Sequence, residues 1–546
     1  MRFVAGAAAV AMLASGAGAT VQAAAASSPQ FTPALSAWGP CKETDLQQAG
    51  AQCAAVTVPL DYSHPARGTT IIEISRIKHT SAHYQGIILT NPGGPGGAGL
   101  DLSVFLLGQL KAEGSAADKA SIADYDWIGF DPRGVGTSEP VSCDPNYFSA
   151  DRRPYNPTSL SLLRYWQRRS RSYAQACAGQ GAAQTALLDN DTTIDSARDM
   201  DSIRQALGQQ QLTYYGFSYG TYLGQVYATL FPGRVRRLIM DSNVDPRNIW
   251  YKANLNQDIA FNRTMNIWFA WLAKYHQTYR LGSTEAAVSR RFYAEESRLR
   301  QHPVTSGGKK IVGPDEWTDI FLYAGYYEST WLTLARALSQ WATTHSAAAG
   351  TALISLYEEV DTPGSDNSFA DYLGVQCTDN QWPLSWARWS RDNTRVNKIA
   401  PFETWANAWF NAPCIYWPAP AHRKTPLRIS GQHIGSALLI DETLDAATPF
   451  EGSLYVRKIF PHSVLLAEPG GTTHADSLSG DRCVDNTVAS YLAYGKLPAR
   501  SRHAAWDKTC RPLPKPVPAK HASVRAAPGL SPAVARLAPL AVLRTR

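Results

Sequence analysis

Short apolar runs alternate with longer amphipathic stretches in two parts of the chain. The runs that predict strands are residues 55–60, 70–77, 86–90, 127–130, 212–215, 237–240, 437–440 and 463–467. The stretches that predict helices are residues 100–112, 193–207, 221–230 and 484–493. Strands that alternate with helices favour a mostly parallel sheet covered by helices on both faces.

The pattern changes in the middle of the chain. Residues 247–410 contain few strand-like runs and are rich in Trp and Tyr within helical stretches. These aromatic side chains suit either a core of their own or a wall over a pocket. We therefore predict one α/β core, formed by residues 38–246 and 411–510, that is interrupted by a helical cap over residues 247–410.

Composition limits the class of protein. The chain has 546 residues, of which 44% are hydrophobic and 18% charged, as expected for a globular protein with a large core. The formal charge is +7, but residues 511–546 carry seven of the 52 basic residues and no acidic ones. The remaining body is close to neutral, which argues against nucleic-acid binding.

Both ends of the chain differ from this body. Residues 1–26 combine an early arginine, an apolar run and small residues, the pattern of a secretory signal peptide. No later run is apolar enough for a membrane span, so we expect a secreted protein without stable membrane insertion. Residues 511–546 are rich in Pro, Ala and basic residues and predict a disordered tail, whose charge suits association with an acidic surface.

The eight cysteines agree with export. An even number without C-x-x-C or zinc-type spacing favours four disulfides in an oxidising compartment over buried thiols, and no metal site is expected. Pairing of chain neighbours is the simplest connectivity. The candidate disulfides are Cys41 with Cys53, Cys143 with Cys177, Cys377 with Cys414, and Cys483 with Cys510.

A Gly-x-Ser-x-Gly sequence lies between a predicted strand and a predicted helix, at Gly216, Ser218 and Gly220. The flanking glycines permit a turn that is too tight for side chains, so the hydroxyl of Ser218 projects from it. The free N–H groups of the following helix favour negative charge at this point. The sequence therefore predicts a nucleophile elbow.

A serine nucleophile needs a base, which a third group orients. Where such an elbow occurs, the chain order is Ser, then acid, then His. His474 follows a predicted strand and a Gly-Gly turn and precedes the last predicted helix, so it is the candidate base. His422, His433 and His462 lack one or other of these flanks.

The acid has three candidates. Asp445 lies in a loop that follows the strand at residues 437–440 and that ends in Thr-Pro. Asp441 and Asp241 each close a predicted strand, where a carboxylate can also cap a helix or bind a loop. We favour Asp445, because its loop places the carboxylate beyond the strand end.

A glycine-rich loop supplies candidate oxyanion donors. Residues 91–97 read Asn-Pro-Gly-Gly-Pro-Gly-Gly and directly follow the strand at residues 86–90. We predict that the N–H groups of Gly94 and Tyr219 form the oxyanion hole. A phosphate-binding loop is the alternative, but its Lys-Ser/Thr ending is absent.

These motifs occur in the order typical of a known family. Residues 91–99, 131–138, 216–222 and 445–449 together resemble the α/β-hydrolase serine peptidases, and among them the secreted tripeptidyl aminopeptidases, relatives of the prolyl iminopeptidases. The resemblance covers residues 38–510, and residues 375–379 are similar to a recurring lid segment. The sequence departs from the family in the extra acids Asp441 and Glu442. It also departs beside His474, in Gly-Gly-Thr-Thr-His-Ala, where the family more usually has glycine next to the histidine.

The resemblance implies an α/β-hydrolase fold with an inserted lid and a triad of Ser218, Asp445 and His474. It also implies a serine exopeptidase that releases short peptides, tripeptides in particular, from free N-termini without a cofactor. Such an enzyme must bind the substrate's ammonium group through a carboxylate. The lid acids considered for this role are Asp379, Glu328 and Glu358.

Two other functions remain open from the sequence. A secreted carboxylesterase would use the same triad on apolar esters and would not require a free amino group. A catalytically inactive hydrolase fold would serve as a binding protein and would not react with a serine-directed probe. Residue preference and oligomeric state are not determined by these patterns.

Overall fold

A computed structural model describes residues 31–148, 152–360 and 366–519. The predicted signal peptide, residues 1–26, lies outside the described residues, and so does the predicted tail from residue 520 onwards. The compact unit considered below begins at Pro33.

The strands of the described residues are β1 (Ala34–Leu35), β2 (Gly39–Pro40), β3 (Gln52–Pro59), β4 (Thr69–Ile77), β5 (Ile87–Asn91), β6 (Asp126–Phe130), β7 (Leu212–Phe217), β8 (Val235–Asp241), β9 (Val304–Ser306), β10 (Lys309–Val312), β11 (Ala437–Glu442), β12 (Ser463–Glu468) and β13 (Lys508–Thr509). The α-helices are α1 (Thr44–Gln48), α2 (Leu102–Glu113), α3 (Ala116–Ala123), α4 (Leu160–Ala178), α5 (Ala182–Asp189), α6 (Thr193–Ala206), α7 (Tyr219–Leu230), α8 (Tyr251–Lys274), α9 (His276–Tyr279), α10 (Glu285–Leu299), α11 (Pro314–Tyr326), α12 (Trp331–Thr344), α13 (Ala347–Val360), α14 (Asp366–Asp379), α15 (Trp386–Asn397), α16 (Thr404–Asn411), α17 (Glu451–Ile459) and α18 (Arg482–Tyr494). None of these helices is both long enough and apolar enough to span a bilayer.

Eleven of the described strands form one sheet in the order β1-β3-β4-β6-β5-β7-β8-β11-β12-β13, with β2 beside β3. Neighbours from β6 to β13 run parallel. The first strands, up to the β4–β6 pair, run antiparallel. The prediction of a mostly parallel sheet is confirmed. The sheet also has an antiparallel edge, which the sequence analysis did not predict.

Helices cover both faces of this sheet. Strands β5, β6, β7, β11 and β12 are buried along their whole length, which explains their continuous apolar sequences. Apolar residues of α2 and α18 pack on one face. Those of α6 and α7 pack on the other.

The chain between β8 and β11 contains helices α8 to α16 and the β9–β10 hairpin, and it has two parts. Apolar residues between 260 and 357 form a separate aromatic core. Apolar residues between 369 and 415, apart from Phe402, instead join the cluster that covers the sheet. The second part is therefore packed as a continuation of the α/β core. The large side chains of the separate core include Trp268, Trp271, Trp317, Tyr326, Tyr327, Trp331 and Trp341.

Four disulfides join chain neighbours, and no cysteine within the described residues is free. The pairs are Cys41–Cys53, Cys143–Cys177, Cys377–Cys414 and Cys483–Cys510. This is the connectivity that the sequence analysis put forward as the simplest.

The stretch 511–519 lies against the chain between β8 and β11, which is called the insertion below. The indole N–H of Trp271 donates to the Pro516 carbonyl at 3.0 Å. The Lys515 ammonium lies 3.4 Å from Glu328 and 5.0 Å from the ring centre of Trp331. Composition predicts disorder for residues 511–546, but these contacts hold residues 511–519 in place. An extended proline-rich chain still has carbonyl oxygens and a cation that an aromatic surface can bind.

Asp191 and Asp371 form a buried acid pair between the first core segment and α14. Neither oxygen of Asp191 has a hydrogen-bond donor among the described residues, and its carboxyl faces that of Asp371. Two carboxyl groups can share a hydrogen bond only while one of them is protonated. Burial raises the pKa of Asp371 to about 8.

We expect Asp371→Asn to flatten the pH dependence of stability between about pH 5 and 8. The pKa of an Asp in the unfolded chain is about 3.9, so the folded wild type binds more protons than the unfolded chain in this window. Its free energy of unfolding therefore falls as the pH rises, by up to about 1.4 kcal/mol per pH unit for this group. The Asn amide donates to Asp191 at every pH.

The measurement is the thermal unfolding midpoint of both proteins at several pH values. The variant should unfold at a higher temperature than the wild type at pH 8, and the difference should shrink towards pH 5. A difference that does not change with pH would contradict the protonation of this pair.

Candidate active site

Ser218 lies at the sharp turn between β7 and α7. Its backbone has φ 55° and ψ −125°, which is strained for a residue with a side chain. The Ser218 N–H donates to the Asp241 carbonyl at 3.0 Å. The Ser218 carbonyl accepts from the N–H and the hydroxyl of Thr221, at 2.9 and 2.6 Å. These bonds hold the strained turn in place.

The glycines on either side of Ser218 are required by close packing. A Cβ atom on Gly216 would lie 2.5 Å from the Gly220 carbonyl oxygen. A Cβ atom on Gly220 would lie 2.7 Å from Asn91 Oδ1. Helix α7 therefore lies directly on the strand and on the glycine-rich loop, as the elbow motif predicts.

His474 and Asp445 form a buried hydrogen-bonded pair. His474 Nδ1 lies 2.8 Å from Asp445 Oδ2, and both side chains are fully buried. Asp445 Oδ1 accepts from the N–H groups of Ala447 and Thr448, and the Thr448 hydroxyl donates to Oδ2. With these donors in place, Nδ1 carries the proton and Nε2 presents a lone pair. His474 Nε2 is buried without a hydrogen-bond partner among the described residues, so it is available to a reacting proton.

The other candidate acids have different partners. Asp241 Oδ2 accepts from the N–H of Ser477 at 2.9 Å and from its hydroxyl. Asp441 Oδ2 accepts from the Ser453 hydroxyl at 2.5 Å. Burial raises the pKa of Asp241 to about 6, and burial beside Asp445 raises that of Asp441. The structure brings Asp445, and neither of these two, to the imidazole.

The remaining candidate histidines, His422, His433 and His462, are exposed on the surface. None of them forms a described hydrogen bond from its ring to a carboxylate. They therefore lack the orienting group that a catalytic base requires.

The glycine-rich loop packs directly on the elbow. A Cβ atom on Gly93 would lie 2.5 Å from the Phe217 carbonyl oxygen and 3.0 Å from the Tyr219 nitrogen. The Gly93 N–H is occupied, because it donates to Asn91 Oδ1 at 3.0 Å. Gly94 and Tyr219 line the same cavity as Ser218. The two predicted oxyanion donors therefore lie in the same cavity as Ser218.

The sequence at residues 131–138 supports that loop. Asp131 Oδ1 accepts from the N–H groups of Gly99 and Leu100, at 2.8 and 3.2 Å. Arg133 forms two hydrogen bonds of 2.7 Å with the buried carboxylate of Asp199. This motif holds the glycine-rich loop and α6 in place, and it does not enter the cavity.

A cavity of about 530 Å³ opens between the elbow and the insertion. Core residues, including Ser218, form its base, and aromatic residues of the insertion form its walls. The His474 N–H donates to the Tyr326 carbonyl at 2.9 Å, which joins the histidine loop to α11. The aromatic residues of the insertion that line the cavity are Trp250, Phe261, Tyr326, Tyr372 and Phe410.

Three carboxylates in the cavity wall have partners or face solvent. Asp319 lies 2.6 Å from Arg152, and Asp245 lies 2.7 Å from Arg247. Glu451 is exposed. An arginine or solvent therefore compensates the charge of each of these three groups.

Glu403 differs from them. Its side chain is 5% exposed and lines the cavity, and its Oε1 is buried without a hydrogen-bond partner among the described residues. Burial and the neighbouring Asp258 carboxyl raise the pKa of Glu403. A cationic group in the cavity would supply the missing counter-charge.

The structure does not bring the predicted lid acids to this cavity, within the residues that it describes. Asp379 accepts from the N–H and hydroxyl of Thr193 and from the Trp250 indole. Glu328 accepts from Thr472 and pairs with Lys515. Glu358 is exposed on α13. Glu403 was not predicted, because a single acid in a helical stretch has no spacing that marks it.

Known proteins of similar sequence agree with this architecture. A family model described as alpha/beta hydrolase fold matches residues 86–471. The tripeptidyl aminopeptidase of Streptomyces lividans is 38% identical over 475 residues, which cover 86% of this chain and 85% of that protein. The carboxylesterase B of Mycobacterium tuberculosis is 29% identical, covering 86% and 89% of the two chains. The serine protease Hip1 of Mycobacterium tuberculosis is 27% identical, covering 84% and 89%.

The protein is therefore a serine hydrolase with the α/β-hydrolase fold. Its sequence similarity extends over most of the chain, well beyond the nucleophile motif. The chain belongs to the tripeptidyl aminopeptidase family and is a serine hydrolase of the aminopeptidase type.

Proposed function

We propose that this enzyme releases short peptides, tripeptides in particular, from free N-termini, with Ser218, His474 and Asp445 as its catalytic triad. The observation that carries the proposal is the cavity that contains both Ser218 and the unpartnered carboxyl of Glu403. A nucleophile and a separate anionic group in one cavity suit a substrate with a carbonyl at one point and an ammonium at another. The name of the relative from Streptomyces lividans supports the same assignment.

The proposed reaction is acyl transfer. His474 Nε2 takes the proton of Ser218 Oγ as this oxygen attacks the peptide carbonyl carbon. The N–H groups of Gly94 and Tyr219 stabilise the oxyanion, while Asp445 keeps the proton on Nδ1. His474 then protonates the leaving amine, and the C–N bond breaks. Water repeats the steps on the acyl-enzyme and regenerates Ser218.

We propose Glu403 as the group that binds the substrate's ammonium. No cationic side chain among the described residues pairs with its carboxyl, and a substrate ammonium would favour the ionised form of this carboxyl. The acids Asp379, Glu328 and Glu358, considered from the sequence, have other partners or face solvent.

Export is also part of the proposal. Four disulfides suit an oxidising compartment, and the sequence of residues 1–26 has the pattern of a signal peptide. The basic residues between 511 and 546 would favour association with an acidic surface. The amount of enzyme in the culture medium tests export. Comparing the amounts released with and without residues 520–546 tests association with a surface.

Three chromogenic substrates test the activity. They are a free-amino tripeptide anilide, the same anilide with its amine acylated, and a short-chain ester, each assayed with Ser218→Ala as control. We expect cleavage of the free-amino anilide and little cleavage of the acylated one. Hydrolysis of the ester alone would reject the peptidase proposal and favour a carboxylesterase, the activity that the name of one relative indicates.

We expect Glu403→Gln to lower kcat/KM for the free-amino anilide by about 10- to 100-fold, mainly through KM. The variant keeps the shape of the side chain and removes the charge that binds the ammonium. Activity on the acylated anilide should change by less than about threefold, because that substrate makes no such pair.

Glu451→Gln is the matched control, since Glu451 lines the same cavity but is exposed. It should have nearly wild-type kinetics on both substrates. If Glu451→Gln lowers the activity and Glu403→Gln does not, the ammonium site has been assigned to the wrong acid.

A further inference from the structure

Three buried acids meet beside the histidine loop. Glu442 ends β11 and Glu468 ends β12, and the two residues are paired in the parallel register of these strands. Asp476 lies two residues after His474. One oxygen from each acid lies within 4.8 Å of the others, and the three residues are 3%, 0% and 7% exposed.

These acids have little to compensate their charge. Both oxygens of Glu468 and Oδ2 of Asp476 lack a hydrogen-bond partner among the described residues. Glu442 accepts from the Thr473 N–H, and Asp476 Oδ1 accepts from Ser479. None of the ion pairs in the described part of the chain includes any of the three. Like charges on neighbouring strands, away from water, are costly unless a cation lies between them.

We propose that these three carboxylates bind a divalent cation of the calcium type. The donors are all hard oxygens, which is the ligand set that Ca²⁺ prefers. Ca²⁺ contacts oxygen at about 2.3–2.6 Å, so opposite ligands lie about 5 Å apart, close to the span of this cluster. Sequence spacing gives no sign of the site, because its ligands come from two strand ends and a loop.

The glycine at position 471 leaves room for the site. A Cβ atom on Gly471 would lie 2.3 Å from Glu442 Cδ. A side chain at this position would displace the carboxylate from the cluster. The short turn before His474 and the proposed ligand Glu442 thus depend on each other.

The bound cation would fix the loop that positions His474. Glu468 precedes this histidine and Asp476 follows it, so one ion would join both ends of the loop. Glu442 precedes Asp445 on the neighbouring strand end. The three acids are therefore positioning residues, which act on the imidazole through the backbone.

Calcium titration of the full-length, chelator-treated protein tests the proposal. We expect calorimetry to give one Ca²⁺ per chain, with weaker binding of Mg²⁺. At a Ca²⁺ concentration about 100 times the Kd, the thermal unfolding midpoint should rise by roughly 3 °C. Glu468→Gln should abolish both the heat of binding and the rise in midpoint.

Two further variants make the test specific. Asp476→Asn should weaken Ca²⁺ binding at least tenfold. This variant provides the test by itself if Glu468→Gln does not fold. Asp191→Asn removes a buried carboxylate that lies outside the cluster and also lacks a hydrogen-bond donor, and this variant should bind Ca²⁺ as the wild type does.

Two results would overturn the proposal. Absence of Ca²⁺ and Mg²⁺ binding by the wild type, with no change in midpoint, would mean that the three acids share protons and hold no ion. Unchanged Ca²⁺ affinity in a folded Glu468→Gln or Asp476→Asn protein would place the ion elsewhere.

Discussion

Ser218→Ala should lower kcat for a free-amino tripeptide anilide by about 10⁵- to 10⁶-fold. The substitution removes the only atom that can form the acyl-enzyme in the proposed reaction. It keeps Cβ, so the strained turn and its hydrogen bonds to Asp241 and Thr221 should persist. Steady-state kinetics measures the loss, and an unchanged unfolding midpoint shows that the fold is intact.

Two comparisons separate a catalytic effect from a structural one. Adding His474→Ala to Ser218→Ala should cost less than about threefold more, because the members of a triad act together. Ser103→Ala changes a different buried serine, which lies on α2, and this variant should keep the wild-type activity. Residual activity above about 1% in Ser218→Ala would remove this serine from the mechanism.

Asp445→Asn should lower kcat by about 10⁴-fold. An Asn side chain can present its amide to Nδ1 of His474, which then places the imidazole proton on Nε2. In this tautomer the imidazole cannot accept the proton of Ser218. The pre-steady-state rate of acylation measures the effect directly, since binding of the substrate should be little changed.

The competing acids provide the control. Asp441→Asn and Asp241→Asn should each change kcat by less than about tenfold, because their carboxyls bind Ser453 and Ser477. A larger loss from either of these variants than from Asp445→Asn would show that the acid has been assigned to the wrong strand end.

Much of the α/β core can be predicted from its sequence, because its signals are local. Strand β7 and helix α6 lie within two residues of their predicted bounds, since a continuous apolar run or an amphipathic stretch marks each of them. The direction of β3 and β4 could not be predicted in this way. Whether neighbouring strands are parallel depends on the path of the chain between them.

The turn at Ser218 and the pairing of His474 with Asp445 could be predicted, because a motif or a strand end marks each of these residues. The acid proposed to bind the substrate's ammonium could not. Asp379 lies in a segment typical of the family, yet it binds Thr193 and Trp250. Glu403 has no distinctive neighbours in sequence, and its position in the cavity depends on how α16 packs against α8.

The order of the disulfides has a consequence for how the chain matures. The eight cysteines pair two by two in the order of the sequence, so no loop closed by a disulfide overlaps another. For a chain that crosses a membrane from its N-terminus, as proposed, each thiol would meet its native partner before any later cysteine emerges. If the thiols are oxidised in the order in which they emerge, the four native disulfides form directly. A simple thiol oxidant would then suffice where a disulfide-shuffling catalyst is scarce.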